Sequence, residues 1–318
     1  MPYALLKLCM AKKVSEHDML VTLVRKAARR GILRSLPKDM LTPEILVERG
    51  RDGYNALHIA AKSGKLNAVP RKFLSRYNIM ATVDASAFNR LNVSYMRAIS
   101  VFHVAAAYGH LDQIPRALVN RRNMEAHLRA TGETIFHTAA QCDFKGVPSE
   151  LMLEKNMQIP NSLGATVFHI AAAKGVLNHM PVGFLTESNM LKPDWEGSSV
   201  FHVAAQNGHI DQIPKELLTE QNMLRSDSNG DTVLHGLALR GELRKLPVSL
   251  LTERTLLASN AGATVLHVAL KHDKLDQLLG LELPDKARNI LGDAWYSANL
   301  AAVALKNPSS QEHAIDLF

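Results

Sequence analysis

Seven histidines recur along the chain: His58, His103, His137, His169, His202, His235 and His267, spaced 45, 34, 32, 33, 33 and 32 residues apart. An imidazole can ligate a metal, relay a proton or sit buried as a hydrogen-bonding ring. The period argues against the first. Ligands must converge to ~2 Å from one zinc ion, whereas rings one stacked unit apart stand ~10 Å from each other. No Gly-x-Ser-x-Gly, His-Glu-x-x-His or phosphate-loop motif accompanies them. The cysteines Cys9 and Cys142 form neither a disulfide framework nor a Cys-x-x-Cys pair. The reading is of a chain with no catalytic residue, no metal and no cofactor, and so not an enzyme. Cys142 is expected to be a semi-buried filler, and His110, His179, His209 and His272 surface or turn residues.

The residues around each histidine keep the same register. Three positions earlier stands Asn55, Ser100, Thr134, Thr166, Ser199, Thr232 or Thr264, all able to accept a backbone N–H at a helix start. Two small residues follow at Ala60-Ala61, Ala105-Ala106, Ala139-Ala140, Ala171-Ala172 and Ala204-Ala205. Six positions after the histidine comes Gly64, Gly109, Gly175, Gly208 or Gly241, with Asp143 and Asp273 as exceptions. Glycine there suits a left-handed helix end, so the interval predicts a helix of about two turns. A second apolar stretch follows, interrupted by Pro70, Pro115, Pro148, Pro181, Pro214 or Pro247. Proline clashes inside a helix. The second element is therefore expected to split into a short turn, a new start at the proline, and a further turn capped by a segment such as Thr219–Asn222. Met80, Met124, Met157, Met190 and Met223 recur with the period and are read as core. One unit of this length cannot bury its apolar faces alone, but stacked units can.

The Thr-x-x-His start, the Ala-Ala pair and the dipeptides Gly109-His110 and Gly208-His209 resemble the ankyrin repeat, in a bacterial or environmental variant with proline in its second helical segment. The resemblance covers residues ~16 to ~280. It implies an all-α solenoid of stacked helix-turn-helix units with short turns, and histidines that bond the Thr or Ser of their own unit and the neighbour's backbone. It also implies a recognition scaffold, which binds its partner through the turn before each first helix and that helix's exposed side. Carried onto this register, the partner-binding candidates are Tyr54, Met96, Arg97, Tyr108, Trp195, Glu196 and Arg240. Arg51, Lys62, Glu133, Gln141, Lys174, Gln206, Asn207, Asp231, Lys271 and His272 stand at the same kinds of position. Trp195 is read either as a binding anchor or as a lid over its own loop.

The organisation follows from the same register. Residues 1–15 form an N-terminal extension and 16–285 the repeat array. Its degenerate first unit, 16–50, has Thr22, Arg25, Gly31 and Pro37 where the other units have the cap, the histidine, the glycine and the proline. The longest interval places an insertion near 81–98, and 286–307, with Trp295, reads as a helical cap before a flexible tail, 308–318.

Charge is uneven. The chain carries 37 Lys and Arg against 30 Asp and Glu, a net +7. Residues 1–72 hold 15 basic and 6 acidic side chains, the remainder 22 and 24. Arg25, Lys26, Arg29, Arg30 and Arg34 make up a basic patch that would suit an anionic partner. No apolar run reaches the ~18 residues that span a bilayer, and the cysteine usage points to a reducing, cytoplasmic compartment. The leading expectation is a non-enzymatic scaffold that binds another protein in the concave groove of an ankyrin array. The alternatives are association with nucleic acid or another polyanion through the basic units, or a place as one subunit of a larger bacterial effector or defence assembly.

Overall fold

The structure, a computed structural model, describes residues 15–50, 52–83, 99–260, 262–279 and 283–292. It is mostly helical, and the chain divides into two compact units, Met1–Ile170 and Ala171–Phe318.

In the first unit, helices α1 (Glu16–Arg30), α3 (Ala56–Lys62), α5 (Val101–Ala107) and α7 (Ile135–Ala140) alternate with shorter helices α2 (Pro43–Val47), α4 (Arg76–Met80), α6 (Arg121–Met124) and α8 (Glu154–Met157). Each odd-numbered helix packs on the next: α1 on α3, α3 on α5, α5 on α7. Helix α9 (Val167–Lys174) carries the division between the units. In the second unit the alternation continues with α10 (Glu187–Met190), α11 (Val200–Asn207), α12 (Glu220–Met223), α13 (Val233–Arg240), α14 (Glu253–Leu256) and α15 (Val265–Lys271). There α11 packs on α13 and α13 on α15.

Local chemistry sets where these helices begin and end. Asn55, Ser100, Thr134 and Thr264 accept the backbone N–H three residues on, from His58, His103, His137 and His267. At Thr134, Thr166, Ser199, Thr232 and Thr264 the bond is returned, because the cap's own N–H donates to the histidine Nδ1 at 3.1–3.2 Å. The ring thus does what Glu does in an ordinary capping box. The far ends turn through a left-handed residue, Gly208 at φ 85° for example; Asp143 and Asp273 take the same conformation at φ 56° and 53°. Asp tolerates that region because its short polar side chain can bond locally.

The second element is split at each proline. A 3₁₀ turn such as Leu111–Gln113 leads to extended Ile114, then Pro115 opens another 3₁₀ turn, Arg116–Leu118. A one-turn helix follows, capped in α4, α6, α10 and α12 by Ser75, Asn120, Thr186 and Thr219. Within these short helices Asn78, Asn123, Asn156, Asn189 and Asn222 each donate through Nδ2 to the carbonyl five residues back. The recurring Asn-Met pair is therefore a hydrogen bond beside a core side chain. Met124, Met157, Met190 and Met223 are fully buried, but Met80 is not: Ile79 holds the core position there. The register explains this correction, since the residue after Asn78 is Ile79.

Two features depart from the sequence reading. Helix α1 starts at Ser15, whose Oγ accepts from Asp18, and Thr22 lies mid-helix; nothing between Glu16 and Thr22 breaks the helix, so it extends two turns before the repeat register. The turns between units contain short antiparallel pairs, β1 (Thr82–Val83) with β2 (Ile99–Ser100) and β3 (Ser259–Asn260) with β4 (Ala263–Thr264). Their strands are too short to show period-two patterning. Helix is present at 285–292; the rest of the expected cap with Trp295, the tail 308–318, residues 1–14, and residues 84–98 of the insertion expected near 81–98 lie outside the described residues.

A glutamine fastens successive units together. Gln113 accepts from the Leu66 amide at 2.9 Å and donates to the Gly64 carbonyl at 3.1 Å. Gln277 does the same to Leu243 and Ala238, at 2.9 and 3.1 Å, and is buried. Replacing it with leucine keeps the bulk but leaves the Leu243 amide without its acceptor, while the Ala238 carbonyl still accepts from Gly241. Gln277→Leu is expected to lower stability by about 1–3 kcal/mol, measured as a reduced urea midpoint.

Candidate interaction site

Six of the seven histidines sit inside the packing, and only His267 is exposed. In His137, Nδ1 accepts the Thr134 amide, so the proton resides on Nε2, which donates to the Ala165 carbonyl at 3.2 Å. His202 Nε2 lies 3.0 Å from the Arg225 carbonyl and 3.2 Å from that of Asp231, and His235 reaches Ala263. Each of these three rings joins its own helix to the following turn. Burial holds His58 and His137 down at about 4 and His103 at about 3, against neighbouring carbonyls that favour the charged ring. These rings are neutral at pH 7 and enclosed. Among the described residues, no group of three or more His, Cys, Asp or Glu side chains could hold a metal ion.

Arg25 does the work of the histidine it replaces. Its guanidinium forms an ion pair with Asp52 in the next turn, where Asp52 also accepts the Tyr54 amide. It is therefore removed from the basic patch, which retains exposed Lys26, Arg29, Arg30 and Arg34. Tyr54 also drops out as an open contact. It is 5% exposed and its ring stacks at a tilt on His58. Lys62 Nζ lies 5.7 Å from the ring centroids of both Tyr54 and half-buried Tyr108. Met96, Arg97 and Arg51 lie outside the described residues. His110 and His209 are more than surface residues: their rings cover Gly64 and Gly175 so closely that a Cβ at either glycine would meet them at 2.8 and 2.7 Å. The Cys142 thiol contacts the Ala107 carbonyl, and burial raises its pKa, which leaves it a poor nucleophile.

The second unit gathers most of the remaining candidates. Asp194 folds the turn Asp194–Gly197 by accepting the amides of Glu196 and Ser198 at 3.0 and 2.9 Å. That turn holds Trp195 outward, 74% exposed, so the indole does not close over its own loop. The Glu196 carbonyl accepts from Ser228 in the next turn at 2.9 Å, which ties the two turns together. Past the second turn lies a recess of about 230 Å³, bordered by Gln206, Asp231, Leu239, Val268 and His272. One residue on its border was missed by the sequence reading. The position after each repeat histidine is Ile59, Val104, Thr138, Ile170, Val203 or Val268, but in α13 it is Gly236. Glycine there lets α11 come close, since a Cβ would meet Gln206 Cγ at 3.3 Å and Ala205 Cβ at 3.5 Å. The rim combines Leu239, 45% exposed, with the polar ends of Gln206 and His272. Arg240, at the end of α13, is exposed and pairs with Glu242 at 3.5 Å. Aligning the repeats on their histidines and looking for the odd residue would have found Gly236.

No family model matches the chain, and no match was found among curated proteins. Among the described residues, no helix is long and apolar enough to cross a membrane.

Proposed function

We propose that the chain is a non-enzymatic, protein-binding scaffold of the ankyrin-repeat type, and that its second unit receives a partner at the turn-and-helix face around Trp195 and Gly236. The observation that carries this reading is the recess at Gly236, beside a turn bonded to the one that presents a solvent-exposed indole. Gly236 has a packing role, the close approach of Gln206 and Ala205, but folding gains nothing from an exposed indole. The recess and the indole are what an interface uses: a pocket for one apolar side chain, and an aromatic anchor of the kind that dominates binding energy. Glu196 and Arg240 supply a polar rim.

Affinity capture from the native cell, compared across variants, tests this. Trp195→Ala is expected to weaken the captured partner by at least about 2 kcal/mol, roughly thirtyfold. Leu239→Glu, at the exposed rim of the recess, is expected to block it while leaving the melting temperature little changed. Equal recovery of the same partner by wild type and both variants would remove this face from consideration.

A further inference from the structure

The first unit carries a larger groove on its proline-turn side, and it is charged. Its volume is about 860 Å³, and its lining includes Arg34, Arg71 and Arg116 together with Val69, Ile114 and Pro115. Asp112 is the acidic residue on its wall. The arginines have a pattern. The residue after each repeated proline in this unit is Lys38, Arg71, Arg116 and then Ser149, all exposed. In the second unit the same position holds Val182, Lys215 and Val248. Packing does not ask for this difference, since none of these side chains is buried. Nor does the backbone, because the first position of a helical turn favours acidic groups over basic ones.

We propose that this groove binds an extended, acidic peptide segment of a partner protein. Arg116 already shows the chemistry: it holds the carboxylate of Glu150 from the next turn. Arg34 donates to the Asn67 carbonyl at 2.9 Å, which anchors its guanidinium at the groove wall. Arginine presents a planar fork of donors that fits carboxylates two bonds at a time. Successive units stand ~10 Å apart, about three residues of extended chain at ~3.3 Å each. Acidic side chains at every third position would therefore meet Arg71 and Arg116 in turn, with the intervening residues over half-buried Pro115 and exposed Ala117. Nucleic acid fits less well. No aromatic side chain lines the groove, and single strands draw much of their affinity from bases stacked on aromatic rings.

The proposal is independent of the Gly236 recess, which belongs to the other unit. Fluorescence anisotropy with the full chain tests it, using a labelled dodecapeptide with Glu at every third position. The controls are the same peptide with Lys for Glu, and a single-stranded oligonucleotide of equal length. The Glu peptide is expected to bind, and to bind more weakly as salt rises. Arg71→Glu combined with Arg116→Glu should weaken it by about tenfold or more. Glu150→Gln, which frees Arg116 from its internal partner, should tighten it by about twofold to fivefold. Trp195→Ala should leave it unchanged. Circular dichroism should show all variants folded, since the altered side chains are exposed. The proposal is overturned if the Glu peptide does not bind at low ionic strength, if the Lys peptide binds as well, if the double variant retains wild-type affinity, or if the oligonucleotide binds more tightly than the peptide.

Discussion

Acidification from pH 7 to pH 5 is expected to cost the first unit about 6 kcal/mol of stability, with the loss beginning near pH 6.5. Three buried rings cause it. His58, His103 and His137 are held at about 4, 3 and 4 by burial, against an unfolded value near 6.5. Their folded pKa values are depressed, so the unfolded chain takes up protons first as the pH falls. Their contribution is complete above about pH 6.5 and drains away toward the folded values of 4 and 3. Around pH 5 the unfolded state holds nearly three more protons, a slope of about 4 kcal/mol per pH unit. Protonation is also blocked by geometry at His137, whose Nδ1 accepts the Thr134 amide and would lose that bond on gaining a proton. Urea titrations at closely spaced pH values measure the slope. A urea midpoint that stays flat between pH 6.5 and 5 would show that these rings are not enclosed as described.

The second large effect contrasts two aromatic residues six positions apart. Phe201→Ala is expected to destabilise the second unit by about 3–5 kcal/mol, because Phe201 is fully buried at the start of α11 and its removal leaves a cavity among close-packed neighbours. Trp195→Ala should change stability by no more than about 0.5 kcal/mol, although it deletes the larger side chain. Thermal melts of the two variants, read with hydrogen exchange on the second unit, separate them. Similar losses in both would mean that the indole is structural after all.

Much of the helical architecture was legible in the sequence, because its signals are local and repeated. The cap, histidine, alanine pair, glycine and proline each act within a few residues of their own position. The split at the prolines follows from the missing N–H and the ring clash, and needs no tertiary information. What was missed depends on partners distant in sequence. Gln113 and Gln277 look like surface residues until the preceding unit's amide and carbonyl are placed beside them. Arg25 reads as free charge until Asp52, 27 residues later, closes on it. Tyr54 looks like a turn aromatic, and only the ring of His58 shows that it packs inward. Gly236 is legible only as a break in a pattern, and the close approach of Gln206 that it permits shows only in the packing.

The short pair of Thr82–Val83 with Ile99–Ser100 has a consequence for how this protein can change. His58 reaches the carbonyl of Ile99 at 3.2 Å, the residue that pairs with Val83 at the start of β2. The ladder holds that acceptor in place whatever length of chain departs after Val83. Sequence between these two strands is thus exempt from the period that governs its surroundings. It marks a place where a lineage, or an engineer, could exchange one sequence for another without re-registering the helices on either side.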